Sequence, residues 1–529
     1  MGIPSYFTHV VKSHRKIIKE YVEGNVKIEN LYLDSNSIIY DILNILLKKE
    51  KNIDFEKELI INIIKKIEEY VEIIKPSRKV YIAFDGVAPL AKLSQQRSRR
   101  YKSWFQKNTL ENVIGKRENN VWESAAITPG TEFMSTLTKE IKKHFTNKRN
   151  IKKLKVEDII ISSSDEVGEG EHKLFKYIRD NKEYHKKTTT IIYGLDADLI
   201  MLALNHMHIT PNLYLYRETP HFIQTIDNTL LANKTYLIDI NKFSGCLKNE
   251  LKHKMNTDRD CISDYVFICF MLGNDFLPHF PALNIRTSGI NTLIEEYYNS
   301  SNKSTKFELI TKNNRINWRN YREYVGNMAE NEEKLIKDEY NRRRKIIKNK
   351  KTDVNEVEDK LLKMPMLYRD LEEYINPYES GWEERYYKEL FGIDIDDERR
   401  NQICNNYLEG LEWTLKYYSN DCPDWEWKYK YHYPPLLKDL YKYIPYFDTE
   451  FINNKNTEAV SPYVQLSYVL PRSCLHLLPK EELDKIGEER INKWYKKENE
   501  LIWAYCKYFW ESHVIMPNID INELKAILK

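Results

Sequence analysis

The sequence predicts an α/β protein in which helices cover both faces of a parallel sheet. Four short runs of β-branched, aliphatic or aromatic residues, at 31–34, 80–85, 158–163 and 190–196, alternate with longer amphipathic stretches such as 54–75. This alternation is typical of parallel sheets, whose ligands bind beyond the carboxyl ends of the strands. A chain of 529 residues is also too long for one ordinary core, so we expect two or more domains.

Composition divides the chain into three parts. Residues 1–300 carry the alternation of strands and helices and form the predicted core. Residues 301–365 are highly charged and predict a linker with a long polar helix that projects from the core or bridges it to the rest. Residues 366–529 are rich in Trp and Tyr and predict a smaller, mixed α/β region that ends in a helix near 522–528.

The overall composition excludes several classes of protein. The net charge is only +3, so binding to a polyanion needs local clusters of basic residues. The seven cysteines form no C-x-x-C pair, which argues against a disulfide framework or a zinc site and favours a reducing compartment. No apolar run reaches transmembrane length, so we expect no membrane association. The 38 tyrosines fit a base-stacking surface, although a biased codon usage would also produce them.

Acidic residues follow the predicted strands. Asp34 ends the first run and Asp85 the second, while Glu169 and Glu171 follow the third within the segment DEVGEGEHK, 165–173. An isolated acidic run is usually a solvated loop. The two glycines of this segment, however, allow its backbone to approach a ligand closely.

Three more acids complete the set. Asp196 and Asp198 end the fourth run, and their i, i+2 spacing puts both side chains on one side of an extended backbone. Asp275 lies in the apolar segment CFMLGNDFLPHF, where an unpaired carboxylate is costly to bury. In a parallel sheet, all seven carboxylates converge on one edge.

Carboxylates at this density need a cation. Like charges repel and raise one another's pKa values unless positive charge lies between them. Oxygen ligands of this kind suit Mg²⁺ or Mn²⁺, and seven of them fit two ions. Two ions about 4 Å apart can activate a water molecule and stabilise the leaving oxygen of a phosphodiester. Any single aspartate could equally be a strand-end or helix cap, but seven together favour metal binding.

A basic helix face follows the second strand. In GVAPLAKLSQQRSRRYKSW, Pro89 suits the first turn of a helix. Lys92, Gln96, Arg99 and Arg100 then follow at i, i+4, i+7 and i+8, on one face. Such a face can hold a phosphate through charge-assisted hydrogen bonds, although a plain cationic surface has the same spacing. Its position next to Asp85 favours phosphate binding.

These motifs resemble the Xrn-type 5′→3′ exoribonucleases, and the similar segments run in the family's order nearly from end to end. The segments before the linker are MGIPSYF, LYLDSNSIIYD, AFDGVAPLAKLSQQRSRR, TPGTEFM, EVGEGEHKLFKYIR, YGLDADLIMLAL and FMLGNDFLPHFPAL. Those after it are GWEERYYKELF, YLEGLEWTLKYY, WEWKYKYHYPP and QLSYVLPRSCLHLLP. The resemblance implies a nuclease core of the PIN and flap-nuclease type in 1–300, buttressed by a second conserved region in 366–529.

The resemblance also implies roles for the candidate residues. Two Mg²⁺ ions, with Mn²⁺ as a substitute, are expected on the catalytic carboxylates Asp34, Asp85, Glu169, Glu171, Asp196, Asp198 and Asp275. A pocket for a 5′-monophosphate is expected at Lys92, Gln96, Arg99 and Arg100.

The implied activity is processive removal of mononucleotides from single-stranded RNA, as part of RNA decay. Only a free monophosphorylated end fits the pocket, and the N-terminal helix bars a duplex. We expect a cytoplasmic monomer, with the nucleus left open and any decapping partner unidentified.

The chain departs from the family pattern in its first motif. Ser37 and Tyr40 stand where the family usually has Gly and His. We expect the Tyr40 ring to stack on the terminal base, with Trp427 of the segment WEW, 425–427, on the other face of that base. The alternative is that both rings are packing residues.

Two other functions stay open at this point. A flap endonuclease shares the acidic α/β core, but no Gly-rich helix–hairpin–helix segment is evident near 280–310. A catalytically silent RNA-binding scaffold is the other alternative, although it has no reason to keep seven mutually repelling carboxylates.

Overall fold

The fold is built on one seven-stranded sheet. The computed structural model describes residues 2–24, 26–48, 54–115, 122–217, 227, 229–231, 234–251, 258–303, 309–350, 356–452 and 457–529. The strands of the sheet are β1 (Ile18–Glu20), β2 (Asn30–Asp34), β3 (Lys79–Ala83), β4 (Asp158–Ser162), β5 (Thr190–Tyr193), β6 (Leu213–Arg217) and β7 (Tyr236–Asp239). Two small ribbons are formed by β8 (Thr311–Lys312) with β9 (Arg315–Ile316) and by β10 (Glu500–Ile502) with β11 (His513–Ile515).

Helices precede, separate and follow these strands. In the first half of the chain they are α1 (Tyr6–Ser13), α2 (Asn36–Leu46), α3 (Phe55–Ile74), α4 (Leu90–Ile114), α5 (Glu132–Phe145), α6 (Lys148–Leu154), α7 (Gly170–Asp180), α8 (Lys182–His185), α9 (Asp198–His206), α10 (Ile240–Leu251) and α11 (Asp258–Cys269). In the second half they are α12 (Gly289–Lys303), α13 (Trp318–Glu330), α14 (Glu332–Lys350), α15 (Val357–Leu367), α16 (Asp370–Ile375), α17 (Trp382–Phe391), α18 (Asp397–Ser419), α19 (Leu437–Tyr443), α20 (Pro462–Val469), α21 (Lys480–Trp494) and α22 (Ile521–Ile527).

The sheet is mostly parallel, as predicted. Its order is β1-β7-β6-β5-β2-β3-β4, and the five neighbours from β6 to β4 run parallel. The four predicted strands are β2, β3, β4 and β5. The sequence reading did not identify β1, β6 and β7. β1 and β7 pair antiparallel at one edge and extend the sheet away from the acidic residues.

Both faces of the sheet are buried, which explains the nearly continuous apolar strands. On one face Leu31 and Leu33 lie in a core with residues of α2, α3 and α5. On the other face Tyr32 lies in a second core with residues of α7 and α9. Side chains alternate between the faces of a strand, so β2 is apolar from Leu31 to Leu33, and the buried Asn30 at its start is hydrogen-bonded to Thr188 and Thr190.

The charged linker differs from the expected projecting helix. The predicted single helix is three helices, α13, α14 and α15, with a first break at Asn331. Trp318, Tyr321 and Tyr324 of α13 are buried in the large core. Their spacing of three residues forms an apolar stripe that packs inward, while Arg319 and Glu323 between them are exposed and Arg322 is buried.

The second region packs directly against the nuclease core. Leu90 and Leu93 of α4 share a hydrophobic cluster with residues of α20, α21 and α22. The long helix α18 brings Tyr417 to Glu169 in the acidic edge of the sheet. The domain limits at 300 and 365 stay a prediction. Among the described residues, no helix combines the length and apolarity that crossing a membrane requires.

Candidate active site

The carboxyl ends of four neighbouring strands bring the predicted acids together. Asp34 is the last residue of β2, and Asp85 follows β3. Glu169 and Glu171 lie at the beginning of α7, which follows β4. Asp196 and Asp198 follow β5, and Asp275 reaches the same place from the loop after α11.

Gly170 packs between two of these acids. A Cβ atom at this position would lie 2.5 Å from Asp34 Oδ1 and 3.4 Å from Asp85 Oδ1. The Gly170 N–H donates to Asp85 Oδ1 over 2.7 Å. Glycine is therefore required here because a side chain would occupy the space between the carboxylates.

Asn36 fixes the orientation of Asp85. Its Nδ2 donates to Asp85 Oδ2 over 2.6 Å, and its Oδ1 accepts a hydrogen bond from the Asp85 N–H over 3.0 Å. The sequence analysis did not single out Asn36. Its position two residues after Asp34, at the start of a helix, was the available signal.

Lys92 lies among the carboxylates. Its Nζ is 2.5 Å from Glu169 Oε2 and 2.7 Å from Asp275 Oδ2. Burial alone would lower the pKa of Lys92, but the surrounding carboxylates, Asp275 and Glu169 foremost, raise that pKa well above its usual value. Burial opposes ionisation of Asp275, yet the Lys92 ammonium holds the pKa of Asp275 below its usual range. Lys92 was predicted to bind the 5′-phosphate, but in the structure it is the counterion of two acids.

Within the acidic cluster, three buried carboxylate oxygens have no hydrogen-bond partner among the described residues: Asp34 Oδ1, Glu171 Oε2 and Asp198 Oδ1. Burial, followed by repulsion from neighbouring carboxylates, raises the pKa of Asp34 and of Glu171 well above the usual value. The same causes raise the pKa of Asp198 to about 7.

Unpartnered acceptor oxygens from three elements fit a hard cation, which binds through oxygen ligands. Among the described residues, no group of three or more His, Cys, Asp or Glu side chains already stands in an arrangement that could hold a metal ion. The Lys92 ammonium, which contacts two of the acids, supplies positive charge within the cluster.

Asp196 and Asp198 lie in different environments. Asp198 is the first residue of α9 and is buried, whereas Asp196 is exposed. The expectation of an extended backbone with both side chains on one side is wrong, because Ala197 between them has helical dihedral angles. Gly2 packs against Asp198, and a Cβ atom on Gly2 would lie 2.3 Å from Asp198 Oδ1.

The second region contributes a direct contact to the acids. The Tyr417 hydroxyl on α18 donates to Glu169 Oε1 over 2.9 Å. Its ring stacks on His172 of α7 at a centroid distance of 3.7 Å. The sequence analysis missed this residue, because nothing in the segment TLKYY distinguishes a contact to the acids from ordinary packing.

The residues predicted to bind the 5′-phosphate lie in two different environments. Arg100 Nη2 donates to Thr128 Oγ1 over 2.5 Å, whereas its Nη1 is buried without a partner, as is Gln96 Oε1. Burial lowers the pKa of Arg100 to about 10. Arg99 instead lines a cavity next to the acids. Of the four residues, Lys92 contacts the acids and Arg99 shares the cavity wall with Asp196 and Asp275, whereas Arg100 is bonded to Thr128 instead.

That cavity has a volume of about 1000 Å³ and is lined by residues of both halves of the chain. Asp196 and Asp275 form part of its wall, so it opens onto the acidic cluster. Its other basic residues are Arg97, Lys102, Arg217, Arg286, Lys428 and Lys430. Its aromatic residues include Tyr6, Phe7, Phe276, Tyr429, Tyr468, Tyr508 and Trp510. Basic and aromatic side chains together are typical of surfaces that bind a single nucleic-acid strand.

The two rings predicted to stack on a base are placed differently. Tyr40 is half-buried on α2 and packs against the core cluster on that side of the sheet. Trp427 is 7% exposed, stacks on Trp413 at 5.2 Å, and donates to Glu409 Oε2 over 3.3 Å. This placement corrects the prediction for Trp427, because a ring packed in the core has no face for a base.

Comparison with known proteins identifies the family. The family model described as "XRN 5'-3' exonuclease N-terminus" matches residues 1–219. The model described as "Xrn1 helical domain" matches residues 254–370 and 348–529. The chain belongs to the XRN family.

The relatives match over nearly the whole chain. It is 27% identical to "5'-3' exoribonuclease 2" of Gallus gallus and 26% identical to that of Debaryomyces hansenii, in both cases over 100% of this chain and 70% of the relative. It is 26% identical to "5'-3' exoribonuclease 1" of Saccharomyces cerevisiae, over 99% of this chain and 43% of the relative. A solved structure, "The catalytic core of Rad2 in complex with DNA substrate", aligns with a TM-score of 0.32 and 12% identity over 66% of this chain and 79% of that one. That similarity is too weak to carry an inference.

Proposed function

We propose that the chain is a 5′→3′ exoribonuclease that processively removes mononucleotides from single-stranded, 5′-monophosphorylated RNA. The observation that carries the proposal is the acidic cluster with its three unpartnered buried oxygens. The cluster opens onto a cavity with basic and aromatic walls. Membership of the XRN family and relatives named exoribonucleases support the same activity.

We propose divalent cations, Mg²⁺ above all and Mn²⁺ as a substitute, as the cofactor. The unpartnered oxygens of Asp34, Glu171 and Asp198 are the first candidates to hold them. When bound, such cations would activate a water molecule and stabilise the leaving oxygen of the phosphodiester. Lys92 contributes fixed positive charge beside them, contacts Glu169 and Asp275, and holds the pKa of Asp275 below its usual range.

The basic residues of α4 would select the RNA end. Arg100 carries a buried guanidinium nitrogen, Nη1, without a partner. This nitrogen could donate a charge-assisted hydrogen bond to a terminal phosphate. Arg99 lies on the cavity wall, where it would meet the phosphates that follow. Such a pocket would accept only a free monophosphorylated end, which makes the enzyme an exonuclease. A capped or triphosphorylated end is larger and should be refused.

The N-terminal helix supports selection of a single strand. Tyr6 and Phe7 of α1 line the cavity beside Asp196. Tyr6 is anchored by a hydrogen bond of 2.9 Å between its hydroxyl and that of Tyr265. A helix fixed in this way narrows the approach to the acids, and a duplex needs more width than one strand.

We further propose a monomer that works in a reducing compartment, the cytoplasm, with the nucleus left open. None of the seven cysteines forms a disulfide bond, and five of them are buried.

A flap endonuclease is the closest alternative, and a silent RNA-binding scaffold is the other. One assay separates all three. RNA labelled at its 3′ end and carrying a 5′-monophosphate, a 5′-hydroxyl or a 5′-triphosphate is incubated with Mg²⁺ or with EDTA, beside a DNA duplex with a 5′ flap.

The proposal expects loss of the monophosphorylated RNA with Mg²⁺ only, and little cleavage of the other substrates. Equal cleavage of the three RNA ends would contradict the phosphate pocket. Preferential cleavage of the flap would favour the endonuclease. The absence of any cleavage with Mg²⁺ or Mn²⁺ would favour the scaffold.

A further inference from the structure

Two aromatic rings stand stacked on the cavity wall, in a part of the chain that the proposed mechanism does not use. The rings of Tyr508 and Trp510 have centroids 4.5 Å apart and planes 23° apart. Both residues line the same cavity as Asp196 and Asp275. Trp510 is 41% exposed although it is a large apolar side chain, so a substantial part of it is accessible to a ligand.

The backbone that carries these rings is held rigidly. Lys102 of α4 donates to the Trp510 carbonyl over 2.6 Å and to the Ser512 carbonyl over 2.7 Å. Phe509, between the two rings in sequence, is buried and stacks on Phe105 of α4 at 5.7 Å. A rigid support lowers the entropy that a ring loses when it binds a ligand.

Positive charge surrounds the pair. The Arg286 guanidinium lies 5.6 Å from the Tyr508 ring centroid, and the Lys507 ammonium lies 4.9 Å from it. Arg286 is in turn paired with Glu511. Stacked rings with cations beside them match a nucleotide, which offers a base face and a phosphate together.

We propose that Tyr508 and Trp510 form a stacking platform for a downstream base of the RNA strand. This inference rests on the proposed function, since it assumes that the cavity holds RNA. Both rings act as positioning residues, remote from the reacting phosphodiester.

The helix α4 sets the distance between the platform and the acids. Lys92 contacts the acids, and Lys102 supports the platform about ten residues later on the same helix. At about 1.5 Å per residue this separation is about 15 Å. A stacked strand advances about 3.4 Å per nucleotide, so the platform meets a base about four nucleotides from the terminal one.

The test is a comparison of RNA lengths. Binding of 5′-monophosphorylated oligouridines of three and twelve nucleotides, labelled at the 3′ end, is measured in EDTA by fluorescence anisotropy. Trp510→Ala should weaken binding of the twelve-mer about 5- to 150-fold, the range expected for loss of one base stack. The same variant should change binding of the three-mer less than about twofold, because that RNA ends before the platform.

Two variants control for general effects. Trp510→Phe keeps an aromatic face and should restore most of the affinity for the twelve-mer. Phe447→Ala removes a ring that is 70% exposed but does not line the cavity, and it should bind both RNAs as the wild type does.

The length dependence decides the inference. Wild-type affinity of Trp510→Ala for the twelve-mer would overturn it, as would equal losses for both lengths. Failure of the proposed function is a separate result: the wild type would then degrade no RNA with Mg²⁺, while the binding comparison in EDTA would still report on the platform.

Discussion

Replacing Lys92 by methionine tests the charge balance of the acidic cluster. Methionine keeps an unbranched stem of similar length but removes the ammonium that lies within 2.7 Å of both Glu169 and Asp275. Both partner side chains are nearly inaccessible, at 5% and 4% exposed, so water is a poor replacement for the lost partner. The substitution therefore leaves two buried carboxylates without their cation.

The structure sets the size of the effect. At an effective dielectric constant of about 20, two opposite charges at this distance attract by about 6 kcal/mol, but burying them opposes much of that gain. Removing one partner of a buried pair typically costs about 3–5 kcal/mol. We expect Lys92→Met to lose that much stability in EDTA.

Urea unfolding followed by circular dichroism measures the change. The matched control is Lys176→Met, because Lys176 is 53% exposed and its ion pairs with Asp180 and Asp421 are on the surface. An exposed pair contributes about 0–1 kcal/mol, so this control should unfold close to the wild type. Added Mg²⁺ should narrow the difference between Lys92→Met and the wild type. If Lys92→Met unfolds at the same urea concentration as the wild type in EDTA, the ammonium is not the counterion of these acids.

The remaining predictions concern cleavage, end selection, stacking and pH. Asp198→Ala should abolish RNA cleavage and leave binding of single-stranded RNA within a few fold, since affinity comes mainly from the cavity walls; cleavage near the wild-type rate would contradict this role. Arg100→Ala should reduce the preference for 5′-monophosphate over 5′-hydroxyl RNA by about tenfold or more, measured as a ratio of rates, because a hydrogen bond to a charged group contributes about 1.5–3 kcal/mol. Tyr40→Phe should leave the length of processive runs on a long RNA nearly unchanged, whereas Tyr40→Ala should shorten these runs. Runs of equal length for Tyr40→Ala and the wild type would show that the ring only packs. Burial raises the pKa of Glu332 to about 8, so the stability that its proton contributes is complete below about pH 4 and is lost as the pH rises towards 8. Glu332→Gln should therefore flatten the dependence of stability on pH by up to about 1.4 kcal/mol per pH unit, and an unchanged slope would contradict the shifted pKa.

The sequence alone predicts the parts of the fold that depend on the local pattern of apolar and polar residues. Strands β2 to β5 follow from short apolar runs, and the sites of Asp34 and Asp85 follow because parallel strands end at a common edge. The strand β1 was missed because it is short and lies at the edge of the sheet, where little apolar pattern is required.

Tertiary neighbours explain the predictions that failed. The spacing of the basic residues along α4 predicted the helix face on which Lys92 lies. It did not predict that acids pack against that face. The segment WEW likewise gave no sign that Trp427 is buried. Its ring fits the core only because Gly410 has no side chain: a Cβ atom there would lie 2.9 Å from Trp427 Cη2. A glycine seventeen residues earlier is not a local signal for the burial of a tryptophan.

The structure also shows how the strand-end acids are placed relative to the helices that follow them. Three of the four strands lead from an acid directly into a helix, with Asp34 just before α2, Glu169 just before α7, and Asp198 at the first position of α9. None of these helices has a side-chain capping hydrogen bond at its N-cap residue. Glu169, which occupies the N-cap position of α7, instead accepts from Tyr417 and pairs with Lys92. The helix N-termini still favour negative charge through their dipoles, which offsets part of the cost of burying the acids. Asp34 Oδ1, Glu171 Oε2 and Asp198 Oδ1 accept no backbone hydrogen bond, whereas Asp85 Oδ1 accepts one from the first N–H of α7.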